Sequence, residues 1–232
     1  MTLSVIDLTT YYGTSRALFD VSLRVRAGEV VSLLGRNGAG KTTTMASIVG
    51  MTRARRGAID LDGTRLDRLP PFKRVRAGLG YVPQSGRVFA GLSVRENLEI
   101  VRGRDLNGDG WNMQRAFATF PKLAELQERD AGRLSGGERQ MLAVARALMG
   151  NPSIVLLDEP SEGLAPVMVQ SLAELVRTLS ASGVGVLLAE QNHRFALSLA
   201  DRAYVIEKGA IQHEGRPDEL LDSPTLERFL GV

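Results

Sequence analysis

Val30-Val31-Ser32-Leu33-Leu34, opened by Glu29, runs without a break into Gly35-Arg36-Asn37-Gly38-Ala39-Gly40-Lys41-Thr42. The first stretch has the length and apolar density of a buried strand, and the residues after Thr42 read as helix up to Gly50. Gly35 to Thr42 fits the pattern G-x-x-x-x-G-K-[S/T] in the strand-to-helix context that the pattern requires. Each residue type has a physical task. Glycines let successive backbone N–H groups turn inward around phosphate oxygens, and the N-terminus of the following helix favours negative charge. Lys41 reaches the β- and γ-phosphates as a point charge, and Thr42 offers its hydroxyl to Mg²⁺. Gly35, Asn37, Gly38, Ala39, Gly40, Lys41, Thr42 and Thr43 are therefore the candidate nucleotide-binding residues.

Such a cradle needs a second metal-binding carboxylate at the end of an apolar strand. Ile154-Val155-Leu156-Leu157-Asp158 supplies it, with Glu159 next in the chain. Asp158 is expected to hold Mg²⁺ through water, and Glu159 to polarise the attacking water beyond the γ-phosphate. A third segment, Leu134-Ser135-Gly136-Gly137-Glu138, opens a helix. By itself it reads equally as an anion site at a helix N-terminus or as a serine N-cap with its helix-starting glutamate.

Around these motifs the pattern predicts strands at Leu3 to Leu8, Leu18 to Val25, Ala58 to Leu61, Leu79 to Val82, Ser153 to Leu157, Val184 to Ala189, Arg202 to Ile206 and Ile211 to Glu214. Helices are expected from Ser93 to Leu126 (with Trp111 in their middle), Gly136 to Met149, Val167 to Leu179 and His193 to Leu199, with two short ones at the end. Strands alternating with helices give an α/β fold with a mostly parallel sheet. The expected organisation is a nucleotide-binding core of residues 1–84 and 151–232, with residues 85–150 inserted as a helical subdomain carrying Ser135 to Gly137.

The chain has 232 residues, 44% hydrophobic and 24% charged, ordinary for a folded domain. It has no cysteine, which excludes disulfide frameworks, thiolate metal sites and cysteine nucleophiles. Net charge is only +3, and lysine occurs only at 41, 73, 122 and 208. The short basic runs Arg53-Ala54-Arg55-Arg56 and Lys73-Arg74-Val75-Arg76 read as solvated surface, and no nucleic-acid partner is expected. The longest uncharged run, Thr178 to Ala189, is shorter than the ~18 to 20 residues of a spanning helix, and Asp7 interrupts the only apolar stretch near the N-terminus, so no signal peptide is expected. Asp105-Leu106-Asn107-Gly108-Asp109-Gly110 matches the first half of a calcium loop, but its twelfth position is Ala116 where a glutamate is needed, so it reads as a polar turn.

Taken together these residues resemble the nucleotide-binding subunit of an ABC transporter, from Tyr12 to the final helices. The resemblance implies a P-loop NTPase core with an antiparallel β portion near the N-terminus and a helical subdomain. It makes Leu134 to Glu138 the signature motif, Gln84 a Q-loop residue that senses Mg²⁺ and the membrane partner, and Tyr12 the ring stacked on adenine. It further implies a second ATPase chain, like or unlike, packed head to tail so that Ser135, Gly136 and Gly137 complete the other chain's ATP site. Two transmembrane permease subunits follow from the same resemblance. They would dock near Arg87, Phe89 and Glu96, with the chain peripheral on the cytoplasmic face of the membrane.

Two positions depart from the family pattern. Ala165, in Ser161-Glu162-Gly163-Leu164-Ala165-Pro166, stands where most members have an aspartate, and Glu190-Gln191-Asn192 stands where most have a switch histidine. Gln191 is taken as the site residue, able to donate an amide hydrogen to the γ-phosphate but unable to become a cation; His193 is expected in the following helix. These segments resemble the importers of branched-chain and other hydrophobic amino acids, which also use an extracytoplasmic solute-binding protein. Urea or amide importers and soluble non-transport ABC ATPases are the alternatives.

Overall fold

Val30–Leu34, Ile154–Asp158 and Gly185–Glu190 are buried at every residue, the signature of strands covered on both faces. They lie side by side in one sheet. The computed structural model describes residues 1–101 and 110–221. In chain order its elements are β1 (Thr2–Tyr12), β2 (Ser15–Arg26), β3 (Val30–Leu34), α1 (Lys41–Val49), β4 (Ala54–Leu61), β5 (Thr64–Arg65), α2 (Pro71–Ala77), β6 (Leu79–Val82), α3 (Val94–Glu99), α4 (Met113–Thr119), α5 (Pro121–Glu125), a 3-10 turn (Ala131–Arg133), α6 (Gly136–Leu148), β7 (Ile154–Asp158), α7 (Pro166–Ala181), β8 (Gly185–Glu190), α8 (His193–Leu197), β9 (Arg202–Glu207), β10 (Ala210–Gly215) and α9 (Pro217–Leu221).

Two sheets form. One is antiparallel in the order β2-β1-β4-β5; the other has the order β10-β9-β3-β8-β7-β6 and is parallel except for the edge strand β10. The period-two alternation of the strands divides the core. Val31 and Leu33 of β3, Ile154 and Leu156 of β7, and Leu187 and Ala189 of β8 face Met45 and Ile48 of α1 and the antiparallel sheet. Val30 and Leu34, Val155 and Leu157, and Val186 and Leu188 face Leu142, Val144 and Leu148 of α6, Leu172 and Val176 of α7, and Leu197 of α8. Thus α1 is sandwiched between the sheets, and its N-terminus lies where β3 ends.

The register sets what stands at the sheet's edge. Leu34 pairs with Glu190, and Asp158 with Ala189, so the residues after β3, β7 and β8 leave the sheet at one level. In parallel α/β sheets that carboxyl edge is where ligands bind.

Several expectations need correction. Trp111 is not in a helix: it precedes α4, and its backbone N–H donates to Asn151 Oδ1 at 2.5 Å. Toward the end of the expected helical stretch α4 and α5 are separate helices, because Pro121 has no N–H with which to continue α4 and instead starts α5. Helix α2 was not foreseen. Arg74, read as solvated, is buried at 5% exposure: its guanidinium donates to the carbonyls of Ser47 (2.9 Å), Ile48 (2.7 Å) and Leu69 (2.8 Å), capping the C-terminal end of α1. A cation at a helix C-terminus is stabilised by the unpaired carbonyls there. Of the suspected calcium loop, residues 105–109 lie outside the described residues, as does the second terminal helix.

Candidate active site

The turn between β3 and α1 takes its shape from glycine. Gly38 and Gly40 have φ of 79° and 114°, a region that side-chain-bearing residues avoid. Gly40 caps α1 without a side chain, leaving the helix's first N–H groups directed outward. Lys41 is 3% exposed, and its ammonium donates to the carbonyls of Gly35 (2.6 Å) and Arg36 (3.1 Å) and pairs with Glu159 Oε1 at 2.9 Å. Thr42 Oγ1 donates to Asp158 Oδ1 at 3.2 Å, and Thr43 is half-buried one position further along α1.

Asp158 is fully buried at the end of β7, where it also accepts from the Tyr81 hydroxyl at 3.3 Å. Burial pushes its carboxyl above the usual aspartate value, against the pull of the Thr42 hydrogen bond. Tyr81 is itself pushed upward, by burial and then by the neighbouring Asp158 charge. Glu159 has a left-handed backbone (φ 46°), and its N–H donates to Ala189 O at 2.9 Å. Strain of this kind at a non-glycine residue costs about 1 kcal/mol or more and persists where surrounding contacts impose it. Here the β8 carbonyl turns Glu159 away from the strand direction and toward Lys41. Gln84 Nε2 donates to Glu159 Oε2 (3.2 Å) and Glu162 Oε2 (2.6 Å).

The structure therefore brings Lys41, Thr42, Gln84, Asp158 and Glu159 together from three separate parts of the chain, as two hydrogen-bonded groups, Thr42–Asp158 and Lys41–Glu159–Gln84, joined through the Asp158-Glu159 peptide. Gln191 follows β8 at the same edge and is exposed, while His193 begins α8. Tyr12 ends β1 at 55% exposure, with its ring open to solvent. Ser135, Gly136 and Gly137 stand apart from this set. Ser135 caps α6 reciprocally with Glu138 (2.7 and 3.3 Å), and the three residues line a cleft of about 560 Å³ with Phe120, Gly163, Ala165 and Met168. Both readings of that segment are thus compatible: the side chains of Ser135 and Glu138 form a capping box, and the space above Gly136 is open, while Gly137 packs beside Met168 and Leu164.

The residues suit a hard divalent cation. A buried carboxylate and a hydroxyl converge in oxygen donors, and among the described residues no three acidic or histidine side chains gather that could hold a metal alone. Mg²⁺ shared with substrate phosphates needs only one or two protein ligands.

Tyr81, Glu162 and Glu190 were not singled out from the sequence. For Glu190 a signal existed: an acid closing the apolar run Val184 to Ala189. Its carboxylate is 2% exposed and accepts from the backbone N–H of Ser161 at 3.1 Å, tying the segment after Glu159 to the segment bearing Gln191. Burial holds its carboxyl above the ordinary glutamate value. Its stabilising contribution is therefore complete below the unfolded value, about 4.3, and is lost as pH rises through the folded one. Glu190→Gln should gain stability relative to the parent as pH rises across that window. Thermal unfolding of both chains in chelator from pH 4 to 8 checks this; a difference independent of pH would refute it.

Comparison with known proteins agrees with this geometry. Residues 18–162, more than half the chain, match the family described as ABC transporter. The chain is 44% identical over 232 residues, 99% of each chain, to the high-affinity branched-chain amino acid transport ATP-binding protein BraG of Pseudomonas aeruginosa. It is 38% identical over 234 residues, 99% of this chain and 97% of the other, to the lipopolysaccharide export system ATP-binding protein LptB of Escherichia coli. Among solved structures it resembles a nucleotide-free ATP-binding cassette from an ABC transporter (TM-score 0.86, 28% identity, 100% and 99% covered). It also resembles the ADP conformation of MJ1267, another such cassette (TM-score 0.84, 29% identity, 98% of each chain covered). A strand-to-helix phosphate cradle facing an Asp-Glu pair, on a chain with these relatives, makes this protein a member of the ABC transporter family, an ATP-binding cassette that hydrolyses ATP.

Proposed function

We propose that this chain is the motor subunit of an importer for branched-chain or other hydrophobic amino acids, with residues 1–84 and 151–232 as its nucleotide-binding core and 85–150 as its helical subdomain. The convergence of Thr42–Asp158 and Lys41–Glu159–Gln84 at the sheet edge carries the catalytic reading. The segments Ser161 to Pro166 and Glu190 to Asn192, together with the likeness to BraG, support the substrate class.

Tyr12 stacks on adenine, while the backbone of Gly35 to Gly40 and the Lys41 ammonium take the phosphates. Thr42, Asp158 and Gln84 would hold Mg²⁺, which would supply charge neutralisation for the transferred phosphate. Glu159 accepts a proton from the attacking water, and Gln191 donates an amide hydrogen to the γ-phosphate. Lys41 now occupied by Glu159 and two carbonyls turns to phosphate when ATP enters. Ser135, Gly136 and Gly137 complete the ATP site of a second ATPase subunit, so that ATP favours the closed pair and hydrolysis lets it open.

Among the described residues no helix is long and apolar enough to cross a membrane, and a peripheral place on its cytoplasmic face requires permease subunits to dock on. An apolar groove of about 250 Å³, lined by Val49, Met51, Val75, Tyr81 and Ala143, opens between α1, α2 and α6. Beside it Phe89 is 54% exposed, with the Arg146 guanidinium 4.9 Å from its ring centroid. An exposed aromatic ring backed by a cation is suited to an apolar partner segment.

The test is uptake. Cells lacking this chain should lose energy-dependent uptake of labelled leucine, isoleucine and valine. The wild-type gene should restore it, and Phe89→Asp should not, although its product binds ATP normally and is found free of membranes. Normal leucine uptake with lipopolysaccharide held at the inner membrane would instead favour the role of the LptB-like relatives.

A further inference from the structure

The loop after β7 carries a carboxylate that the reading above leaves unused. Glu162 is exposed, and its N–H donates to Glu159 O at 3.2 Å, closing a turn. That turn brings the Glu159 and Glu162 side chains to one side chain, the Gln84 amide, although Gln84 is far away in sequence. We propose that Glu162 is a positioning residue that fixes the orientation of the Gln84 amide so that its Oε1 is presented to the Mg²⁺ site; the inference rests on Gln84 belonging to that site.

The argument is one of donors and acceptors. A glutamine amide has a donating nitrogen and an accepting oxygen, and turning it by half a revolution exchanges them. Ionised carboxylates only accept. With Glu159 Oε2 at 3.2 Å and Glu162 Oε2 at 2.6 Å, both facing Nε2, the flipped amide would set its oxygen against two carboxylates. The observed orientation leaves Oε1 as the one polar atom of the amide not committed to an acid, and a hard cation takes oxygen.

Glu159 cannot maintain this alone. Its other oxygen pairs with Lys41 at 2.9 Å, and the proposed chemistry asks Glu159 to engage a water. Glu162 has the shorter contact and no catalytic duty. A charge-assisted hydrogen bond at an exposed site is modest in strength, which sets the expected effect at a few-fold.

The test measures metal binding rather than turnover. Mn²⁺ is titrated into the full chain saturated with the non-hydrolysable β,γ-imido analogue of ATP and followed by electron paramagnetic resonance. Glu162→Ala should weaken Mn²⁺ about three- to fivefold, and Glu162→Gln, which keeps a neutral acceptor, should fall between it and the parent. Affinity for the analogue without metal should be the same in all, which separates orientation of Gln84 from damage to the cradle. Gln84→Ala should weaken Mn²⁺ at least as much, and adding Glu162→Ala to it should have no further effect. Unchanged Mn²⁺ affinity in Glu162→Ala, or losses that add in the double variant, would overturn the role of Glu162 while leaving Gln84 in the site. Unchanged affinity in Gln84→Ala would overturn both.

Discussion

Glu159→Gln should lower ATP turnover at least about a hundredfold, the scale of a lost general base, while ATP binding persists. The amide is nearly the same size as the carboxylate and retains an acceptor for Gln84, so the turn after β7 is kept. It cannot accept the proton of an attacking water. The structure adds a second expectation. Lys41 and Glu159 form a buried pair at 2.9 Å, with the two side chains 3% and 8% exposed. Neutralising one member removes a competitor for the lysine, so the variant should hold ATP at least as tightly as the parent. Lys41 keeps the carbonyls of Gly35 and Arg36, which limits the loss of stability that breaking a buried pair brings. Solution mass measured with and without ATP then reads the assembly: a doubling shows that this chain pairs with itself, and a monomer that binds ATP shows that the second ATPase subunit is a different chain. Turnover within a few-fold of the parent would remove Glu159 from the reaction.

The largest expected loss of stability lies outside the site. Gly209→Ala should cost about 3 kcal/mol, which for a chain of this size lowers the melting temperature by about 6 to 12 °C. Gly209 lies in the turn between β9 and β10 with φ of 78°, and a Cβ there would fall inside van der Waals contact with the carbonyl oxygen of Ala17. Its backbone is also committed at both ends: its N–H donates to Ala39 O in the phosphate cradle, and its carbonyl accepts from Phe19, both at 2.8 Å. Displacing this turn therefore pulls on the antiparallel sheet and on the cradle together, and ATP affinity should fall with stability. Gly13→Ala is the control. Gly13 also has positive φ, 60°, but a Cβ there meets nothing within 4 Å, so only the backbone cost of about 1 kcal/mol is expected. Equal melting temperatures for the two variants would show that the contact with Ala17 is unimportant.

The sequence determined the parts whose chemistry is local. Glycine spacing before Lys41-Thr42 between strand and helix dictates a left-handed turn fit for phosphate, and unbroken β-branched and aliphatic runs of strand length such as Ile154 to Leu157 read as central strands. Those two signals gave the α/β fold and the expectation that the Asp158-Glu159 acids face the cradle that carries Lys41; the direct Lys41–Glu159 ion pair came only with the structure. Where the pattern was weak the reading missed: α2 and the break at Pro121 rest on short segments without clear periodicity, and Arg74 was indistinguishable from its solvated neighbours until α2 laid it across the end of α1. Only the tertiary structure decided which distant groups meet. Tyr81 reaches Asp158 because β6 pairs with β7 so that Val82 stands opposite Leu157. Gln84 reaches Glu162 because the loops leaving those two strands are neighbours, and Gly209 touches the cradle because β9 lies beside β3. A side chain's type and its near neighbours fix what it can donate, accept or fill; sheet order and register, which depend on the whole core, fix the partner it finds.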